Sequence, residues 1–448
     1  MTRYLDISVV QIQAWLAQAP TLKGRRGASS MIRTATSPTR IAALLDQHPG
    51  IEPNREQGPI DGVVSMTVAE GTDTQPVAGA VLAALREQLP TATLRVVTSA
   101  GPTYGQRVVE SSRDWPAAVP EWPLGRPCAW CRVFPAAEID NDDPRRPGEA
   151  LCADCRLRRV HAGATHSRRT PPGPERDLLE RLGGGRAAPD DFEDLARLGL
   201  GPAGDDTHVA VIYADGNALG RFIKRIAESD PALLAALPDA IHAATWSAVL
   251  AGLAAIDTGG PTLPVIAHLV GGDDILLSVP AHGVWDFLAA MTAAFVATIT
   301  RAHPKVPEPP TLSAGVVIHH QSFPFATVID IATDLLRAAK AARPGHAMLA
   351  WQSITHDGDE PAGRPAFPTT TLTDHGEALR ALAGLPASQR QTLAWLLRPG
   401  NAEQSDLTTQ LSRLGLDTVT APFLDCGDGI AAGLGLADAL DMVRWWRQ

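Results

Sequence analysis

Residues 269–280 read LVGGDDILLSVP, with two glycines and two aspartates between two apolar runs. Apolar runs of this length are typical of buried strands, so the stretch predicts a hairpin with Gly and Asp at its turn. A tight turn needs only one Asp or Asn beside a Gly. The second acid adds repulsion, which a cation between Asp273 and Asp274 would relieve. The hairpin therefore predicts a bound cation.

The segment around this hairpin alternates strands and helices in the order βαββαβ. An apolar strand, HVAVIYA at 208–214, runs into Asp215, and the residues after it begin a helix. The strand TLSAGVVIHH at 311–320 precedes a helix with a regular apolar face. This order predicts a ferredoxin-like palm domain over residues 205–357, with acids at the ends of two of its strands.

Asp215, Asp273 and Asp274 converge at one edge of the sheet if the hairpin pairs beside the first strand. Carboxylate oxygens are the ligands that Mg²⁺ and Mn²⁺ prefer, and two such ions activate an attacking hydroxyl and stabilise a departing pyrophosphate. The alternative for GGDD alone is an ordinary acidic turn. The matching aspartate at the end of the first strand favours the metal site, so these three are the predicted catalytic residues.

Residues near these acids are suited to bind a nucleotide. Backbone N–H groups at a helix N-terminus, here the segment with Gly216, Asn217 and Gly220, can hold phosphate groups. Lys340 lies at the edge of the apolar face of its helix, from which its ammonium group can extend toward phosphate. Together these features outline the palm of a polymerase or a nucleotide cyclase.

The chain has 448 residues, of which 45% are hydrophobic, and a net charge of −10. This length predicts two to four domains. The acidic balance argues against a general nucleic-acid coat, but it leaves room for a local basic groove. No apolar run reaches the roughly 18 residues that a membrane span needs. The N-terminal sequence lacks the regions of a signal peptide, so a cytoplasmic protein is expected.

Four of the five cysteines form two CxxC pairs, CAWC and CADC, with twenty residues between them. In a cytosolic protein this spacing predicts a structural zinc site with four thiolate ligands rather than disulfides. The alternative is two reduced pairs without a metal. The predicted ligands are Cys128, Cys131, Cys152 and Cys155, in a zinc-finger and linker segment that spans residues 121–204. The fifth cysteine, Cys426, is unpaired.

The two ends of the chain complete the predicted architecture. Residues 1–120 show a second βαββαβ-like order, and residues 358–448 are predicted to form a small helical bundle. The fold class is therefore α+β: two ferredoxin-like palm domains, a zinc-finger insert between them and a C-terminal helical bundle. A basic window, 155–169, predicts either a solvated linker or a contact for an RNA or DNA backbone.

Three motifs, YADGNALG, LVGGDDILLSVP and LSAGVVIHHQSFPFATVIDIATDLLRAAK, resemble the cyclase-like palm of the large subunit of type III CRISPR effector complexes. The N-terminal LDISVVQIQAWLAQAPTLKGRRGASSMI resembles the first, degenerate palm-like domain of that subunit. The paired cysteines match its zinc finger, and the C-terminal helices match its tail. The resemblance covers nearly the whole chain, and its specific part is the GGDD hairpin with the SAG, FP and AK residues that follow.

The resemblance implies an activity: metal-dependent conversion of ATP to cyclic or linear oligoadenylate in antiviral defence, when the complex binds a target RNA through its guide RNA. The implied partners are ATP, guide RNA, target RNA and other subunits of the effector complex. By the same resemblance the three aspartates hold Mg²⁺ or Mn²⁺, and further residues admit or bind the nucleotide. These residues are Gly271, Gly272, Ser313 and Lys340.

Many members of this family begin with an HD-type nuclease domain, which needs several His and Asp from different helices. The sequence begins directly at the palm-like domain, and its His356–Asp357 pair is predicted to be a surface turn. A form without the HD domain, and without its DNase activity, is therefore expected. Two alternatives stay open: a stand-alone GGDEF-like nucleotide cyclase, and a catalytically silent scaffold that binds guide RNA and partner subunits.

Overall fold

The structure of the chain is a computed structural model that describes residues 1–19, 21–57, 60–116, 125–140, 147–162, 172–183, 185–199, 207–229, 231–398, 404–425 and 429–446. The strands are β1 (Thr2–Val9), β2 (Ile51–Pro53), β3 (Val63–Val68), β4 (Leu94–Gly101), β5 (Val108–Trp115), β6 (Glu138–Asp140), β7 (Glu149–Leu151), β8 (His208–Asn217), β9 (Ile266–Gly271), β10 (Asp274–Pro280), β11 (Thr311–His320), β12 (Met348–Ser353) and β13 (Phe367–Pro368).

The helices are α1 (Ile12–Ala17), α2 (Leu22–Ala35), α3 (Pro38–Leu45), α4 (Gln75–Gln88), α5 (Ala153–His161), α6 (Pro174–Arg181), α7 (Phe192–Arg197), α8 (Leu219–Ser229), α9 (Leu237–Ile256), α10 (Val284–Ala302), α11 (Phe325–Ala342), α12 (Ile354–Asp357), α13 (Thr371–Asp374), α14 (Gly376–Ala383), α15 (Ala387–Leu396), α16 (Gln404–Arg413), α17 (Asp417–Thr420) and α18 (Leu436–Met442). Short 3-10 turns occupy Tyr104–Gln106, Pro231–Ala236, Ala281–Gly283, Ala421–Phe423 and Val443–Trp445.

The first sheet has the strand order β2-β3-β1-β4-β5. Its neighbouring strands are antiparallel, and β1 pairs with β3 on one side and with β4 on the other. The first four strands therefore have ferredoxin-like connectivity, with the first strand at the centre. Apolar side chains of β1 and β3 pack with those of α2 and α4, which forms a core of its own.

The second sheet repeats this arrangement with the order β13-β12-β11-β8-β10-β9. Its central strand β8 has a continuous buried apolar run, because it is covered on both faces. β10 and β11 flank β8 as antiparallel neighbours, and β9 pairs beyond β10. After the crossover helix α11, β12 extends the sheet in parallel with β11. The ferredoxin-like core of this sheet thus runs from β8 to β11.

Helices α9 and α10 pack together on one face of the second sheet, and the C-terminal helices join the same core. The stretches Leu237–Ile256 and Ala281–Ala302 are long and apolar enough to cross a membrane by length and composition. No apolar run of this length was predicted from the sequence. About half of each stretch is buried inside the protein, 44% and 50%, and core helices pass the same test, so the finding is weak evidence for a membrane.

The opposite face of the second sheet is covered by α7 and α11 together with residues from the N-terminal domain. Ala17 and Leu22 of that domain share a buried cluster with Phe325 and Val328 of α11. Helix α2 also contacts β9, the outer strand of the acidic hairpin. The two palm-like domains therefore meet along α1 and α2, beside the hairpin.

The Cys-rich segment contacts the other side of α2. Gly27 of α2 faces the backbone of Arg158 in α5, and a Cβ atom at Gly27 would overlap the Arg158 carbonyl group. Gly24, one turn earlier, faces the Trp130 ring, 3.1 Å from where its Cβ would lie. Helix α2 thus lies between the Cys-rich segment and the second sheet.

The predicted fold class is confirmed, with two additions that the sequence analysis did not include. β5 extends the first sheet as an edge strand whose eight residues are all exposed. β13 pairs with β12, so the second sheet takes in residues beyond 357. The domain limits at residues 120, 204 and 357 themselves stay predictions.

The basic window at 155–169 was predicted to be either a solvated linker or a contact for an RNA or DNA backbone. Its described part is neither. Arg158 is fully buried; its Nε donates to Asp154 at 2.7 Å and its Nη2 to the Trp15 carbonyl at 3.0 Å. Arg159 is also buried, beside Glu149. The Arg158 guanidinium group joins the Cys-rich segment to the first domain, whereas that of Arg159 is held within the segment; neither faces solvent or nucleic acid. Arg168, Arg169 and Cys426 lie outside the described residues.

Candidate nucleotide and metal sites

The GGDD sequence forms the predicted hairpin turn between β9 and β10. Gly271 and Asp274 are the last paired residues, so Gly272 and Asp273 make the turn. Gly272 has a φ of 59°, a left-handed conformation that favours glycine. Its carbonyl accepts a hydrogen bond of 2.6 Å from the hydroxyl of Thr245 in α9. The turn is therefore fixed by its own backbone and by a buried helix.

The register of β8 against β10 brings Asp215 to the same end of the sheet. Ala214 pairs with Ile275, so the next position in this antiparallel register places Asp215 opposite Asp274. On its other side Asp215 pairs with Ser313 of β11. The hairpin therefore does pair beside the first strand of the domain, as the convergence of the acids requires.

Gly216 allows the hairpin and the first strand to approach closely. A Cβ atom at this residue would lie only 2.5 Å from Oδ2 of Asp273 and would also collide with Leu219. The backbone N–H of Gly216 donates to the Asp273 carboxylate, which favours its charged form. Glycine is thus required here by the Asp273 side chain itself.

Lys340 lies among the acids. Its ammonium group forms an ion pair with Oδ2 of Asp215 and donates to the Gly216 carbonyl at 3.0 Å. Both side chains are about one-third exposed, 32% for Lys340 and 28% for Asp215. Partial burial lowers the pKa of Lys340. The ion pair holds Asp215 in place and puts a positive group next to the N-terminus of α8.

The two hairpin carboxyl groups are hard to ionise in the absence of a cation. Burial, and then the neighbouring Asp273, raise the pKa of Asp274 to about 7. Burial likewise raises the pKa of Asp273. The pKa of Tyr213, two residues before Asp215, is raised by burial and by both aspartates. A divalent cation at this place would favour ionisation of both carboxyl groups.

The three aspartates form no single tight cluster. Among the described residues, only the four paired cysteines bring at least three metal-ligating atoms within 4.8 Å of one another. Asp215 forms an ion pair with Lys340 instead. Carboxylates spread along a sheet end suit two ions about 3.5–4 Å apart better than one ion held by all three.

Asn217 and Ser313 have structural partners. Asn217 is 5% exposed, and its amide nitrogen donates to Ser313 Oγ at 2.9 Å and to the His346 carbonyl at 3.1 Å. The Ser313 hydroxyl is fully buried and accepts from the Met348 N–H at 3.1 Å. Both side chains therefore tie β8, β11 and β12 together behind the aspartates.

The remaining predicted glycines leave open space. A Cβ atom at Gly220, Gly271 or Gly272 would meet nothing within 4 Å. Gly220 lies in the first turn of α8, so the backbone there is accessible to a ligand from outside. Within the described part of the chain, these three positions leave room for a ligand to approach the backbone.

Gln13 is a site residue that the sequence analysis missed. It belongs to α1 of the N-terminal domain, and its amide nitrogen lies 3.4 Å from Oδ2 of Asp274. It also hydrogen-bonds to Tyr213. Spacing along the chain gives no signal for a contact 261 residues apart. Tyr213 could have been found, because residues two apart on a strand share a face.

The four paired cysteines come together as predicted. Their sulfur atoms lie within 4.8 Å of one another, and Sγ of Cys131 and Sγ of Cys152 are 3.8 Å apart. A zinc–sulfur bond of about 2.3 Å in a tetrahedron gives an edge of roughly 3.8 Å, so the donor set fits Zn²⁺. Cys152 precedes α5, and its sulfur accepts from the Cys155 N–H at 3.4 Å. The neighbouring thiols lower the pKa of Cys128.

The βαββαβ sheet with acids at its hairpin and first strand is typical of a palm domain. Residues 208–348 match the family model described as Cas10/Cmr2, second palm domain. This match confirms the resemblance to the large subunit of type III CRISPR effector complexes.

Solved structures show the same fold over the whole chain. A Csm1–Csm4 cassette in complex with cA4 is 12% identical, with a TM-score of 0.53 and coverage of 100% of this chain and 70% of that chain. The cassette in complex with AMPPNP is 13% identical, with a TM-score of 0.53 and coverage of 100% of this chain and 70% of that chain. Csm1 of T. onnurineus is 14% identical, with a TM-score of 0.53 and coverage of 100% of this chain and 69% of that chain. No curated protein sequence matches the chain.

Proposed function

We propose that this chain is the large subunit of a type III CRISPR effector complex and makes oligoadenylate from ATP in antiviral defence. The observation that carries the proposal is the placement of Asp215, Asp273 and Asp274 at one end of a Cas10/Cmr2-type palm sheet. Structures of this fold include a Csm1–Csm4 cassette with cA4 and one with AMPPNP, which supports ATP as substrate and an adenylate oligomer as product. Target RNA, bound through guide RNA, is the proposed activator in the cytoplasm.

The three aspartates would hold Mg²⁺ or Mn²⁺, because buried carboxylates with raised pKa values gain most from a divalent cation. Such ions, when bound, activate the attacking 3′-hydroxyl and stabilise charge on the departing pyrophosphate. The protein's own part is positioning. Gly216 lets the Asp273 carboxylate lie against the first strand, and Gln13 and Lys340 orient the other two carboxylates.

The triphosphate is proposed to bind at the N-terminus of α8. Backbone N–H groups at a helix N-terminus favour phosphate, and Gly220 leaves that turn open. Lys340 places an ammonium group beside the Gly216 carbonyl, close to the same turn. Gly271 and Gly272 leave the hairpin side open as well. Asn217 and Ser313 keep the strands in register beneath the site.

The Cys128, Cys131, Cys152 and Cys155 cluster is proposed to hold a structural zinc ion, outside the reaction itself. It lies in the segment that packs on α2, so its role is to order the contact between the two palm-like domains. Other subunits of the effector complex are the proposed partners, by analogy with the Csm1–Csm4 cassettes of the same fold.

The first prediction tests the aspartates. Asp273→Asn combined with Asp274→Asn keeps side-chain size and removes two negative charges, so conversion of labelled ATP should fall by several orders of magnitude. The matched control changes two consecutive acidic residues that are exposed. Asp359→Asn combined with Glu360→Gln should keep wild-type activity. The assay uses the assembled complex with guide RNA, target RNA and Mg²⁺. Oligoadenylate at the wild-type rate from the first double variant would show that the two aspartates are only a turn.

The same assay separates the alternatives. A GGDEF-like cyclase would make a product from ATP or GTP without target RNA or partner subunits. A silent scaffold would make no product under any condition, while it still bound guide RNA. 3′-Deoxy-ATP should be added at most once and then terminate the product, because the attacking group is the 3′-hydroxyl. Continued extension with this analogue would contradict the proposed chemistry.

A further inference from the structure

A narrow cavity lies between the two palm-like domains, away from the aspartates. It is bounded by α2, by the start of α6 and by β9. The polar residues around it are Arg25, Arg26, Ser29, Glu175 and His268. Two guanidinium groups and one carboxylate therefore line the same small space.

Arg26 is fully matched by its neighbours. Its Nε donates to Glu175 at 2.7 Å, its Nη2 donates to the same carboxylate at 2.9 Å, and its Nη1 donates to the Asp190 carbonyl at 2.9 Å. The carboxylate of Glu175 is thereby used by Arg26. It leaves no negative charge in the cavity for a second guanidinium group.

Arg25 is the unmatched group. It is 2% exposed, and its guanidinium carbon lies 3.9 Å from the centre of the Phe325 ring. Its Nε and Nη2 have no hydrogen-bond partner among the residues that the structure describes. An unpaired buried charge destabilises the folded state by several kcal/mol, so such groups normally have a counter-ion.

The surroundings of Arg25 are positive rather than negative. Arg158 is near enough to disfavour its charge, and the only acid that acts on it, Asp330, forms no ion pair with it within the described part of the chain. His268 is held neutral: burial lowers its pKa well below the ordinary value, and then Arg25 and Arg26 lower it further. The cavity thus combines a surplus positive charge with free N–H donors.

We propose that the guanidinium group of Arg25 binds a small monovalent anion, chloride in the cell, in the cavity between α2, α6 and β9. The size of the cavity determines which class of anion can bind. The cavity admits little more than one water-sized sphere, which fits a halide ion but not phosphate or a nucleotide. The bound ion supplies the missing counter-charge of Arg25 and joins α2 of the first domain to β9 of the second.

The test measures thermal unfolding of the full chain at constant ionic strength, as sodium gluconate is replaced by sodium chloride or bromide. The wild-type melting temperature should rise and saturate in the millimolar range, because an ion that binds only the folded state stabilises it by mass action. Arg25→Met, which keeps length and apolar contact with Phe325, should lose the halide-dependent rise. Arg40→Met, at a partly exposed arginine of the next helix, should keep it.

Crystals grown in sodium bromide give a second measurement that needs no variant. An anomalous bromide peak within hydrogen-bond distance of Arg25 Nε or Nη2 is expected. A halide-dependent rise that persists in Arg25→Met overturns the proposal. So does the absence of both the rise and the peak in the wild-type protein, since a water molecule would then occupy the cavity. If Arg25→Met fails to fold, Arg25→Lys, which keeps the charge but lacks the Nε and Nη2 donors, should show a weakened rise.

Discussion

Asp273 and Asp274 are kept at the end of a buried hairpin although the fold alone disfavours their charge. The pKa of Asp274 is raised to about 7 by burial and then by Asp273, and burial raises that of Asp273 as well. In an unfolded chain both carboxyl groups have a pKa of about 4. Between these values the metal-free folded state binds protons that the unfolded state has released. Its stability therefore falls as pH rises through this window.

A second prediction follows for protein in magnesium-free buffer. Asp273→Asn with Asp274→Asn should raise the melting temperature at pH 8, by the equivalent of about 1–3 kcal/mol, and by much less at pH 5, where the Asp274 carboxyl group is mostly protonated in the folded state. Circular dichroism melting curves at both pH values measure this. The Asp359→Asn and Glu360→Gln pair should show no such pH-dependent gain. Equal gains at both pH values would mean that repulsion and burial are not the cause.

The sequence predicted the three aspartates because each lies at the end of an apolar run, which is a local signal. The sequence could not predict which residues contact these aspartates. Gln13 reaches Asp274 from another domain, and Lys340 reaches Asp215 from a helix 125 residues away. Asn217 was predicted from its place in a phosphate-type turn, but its amide points into the protein toward Ser313 and His346. Side-chain direction in a turn depends on neighbours that spacing does not specify.

At the scale of single elements, continuous apolar runs such as β8 and β11 were predictable, because strands buried on both faces carry little else. Strand β5 was not, since VVESSRDW has no buried face and its eight residues are all exposed. The arginines of α5 were misjudged for a related reason. Two partners of Arg158, the carbonyl groups of Trp15 and Leu16, belong to the first domain, so its burial cannot be seen in its own segment.

The third prediction concerns the contact of α2 with α5. Gly27→Ala should destabilise the protein by about 3 kcal/mol or more, because a Cβ atom there meets the rigid backbone of Arg158. Gly79→Ala is the matched control within helix α4, where a Cβ atom meets nothing within 4 Å. That change should stabilise by roughly 0.5–1 kcal/mol through helix propensity. Denaturant unfolding of both variants measures the difference, and similar values would mean that the two helices can move apart at little cost.

At the scale of the whole molecule, the Cys-rich segment, α2 and the acidic hairpin form a continuous series of contacts. α5 packs on α2, and α2 packs on β9. Ser29 of α2 donates to the His268 carbonyl of β9 at 2.8 Å. Order in the cysteine cluster therefore extends mechanically to the strand that carries the hairpin.

The fourth prediction tests this connection through the metal. Protein purified without chelator should contain about one zinc ion per chain, since four thiolates make a closed structural site. Cys128→Ser, or removal of the metal, should lower stability and increase hydrogen exchange in α2 as well as in α5, because metal binding is coupled to folding of such segments. Metal analysis and hydrogen-exchange mass spectrometry measure these effects. Soluble, folded protein with almost no zinc would contradict the site, and unchanged exchange in α2 would contradict the connection.

Helix α2 has few positions that are free to vary over evolutionary time. Nine of its fourteen residues are buried, among them two glycines and an arginine, and its neighbours are its own sheet, the Cys-rich segment and the second palm domain. A helix with one solvent face can accept substitutions there without cost, whereas one enclosed by three neighbours can change only when a neighbour changes too. Sequences of related chains should therefore diverge slowly along residues 22–35, with changes that are correlated with those in α5 and β9.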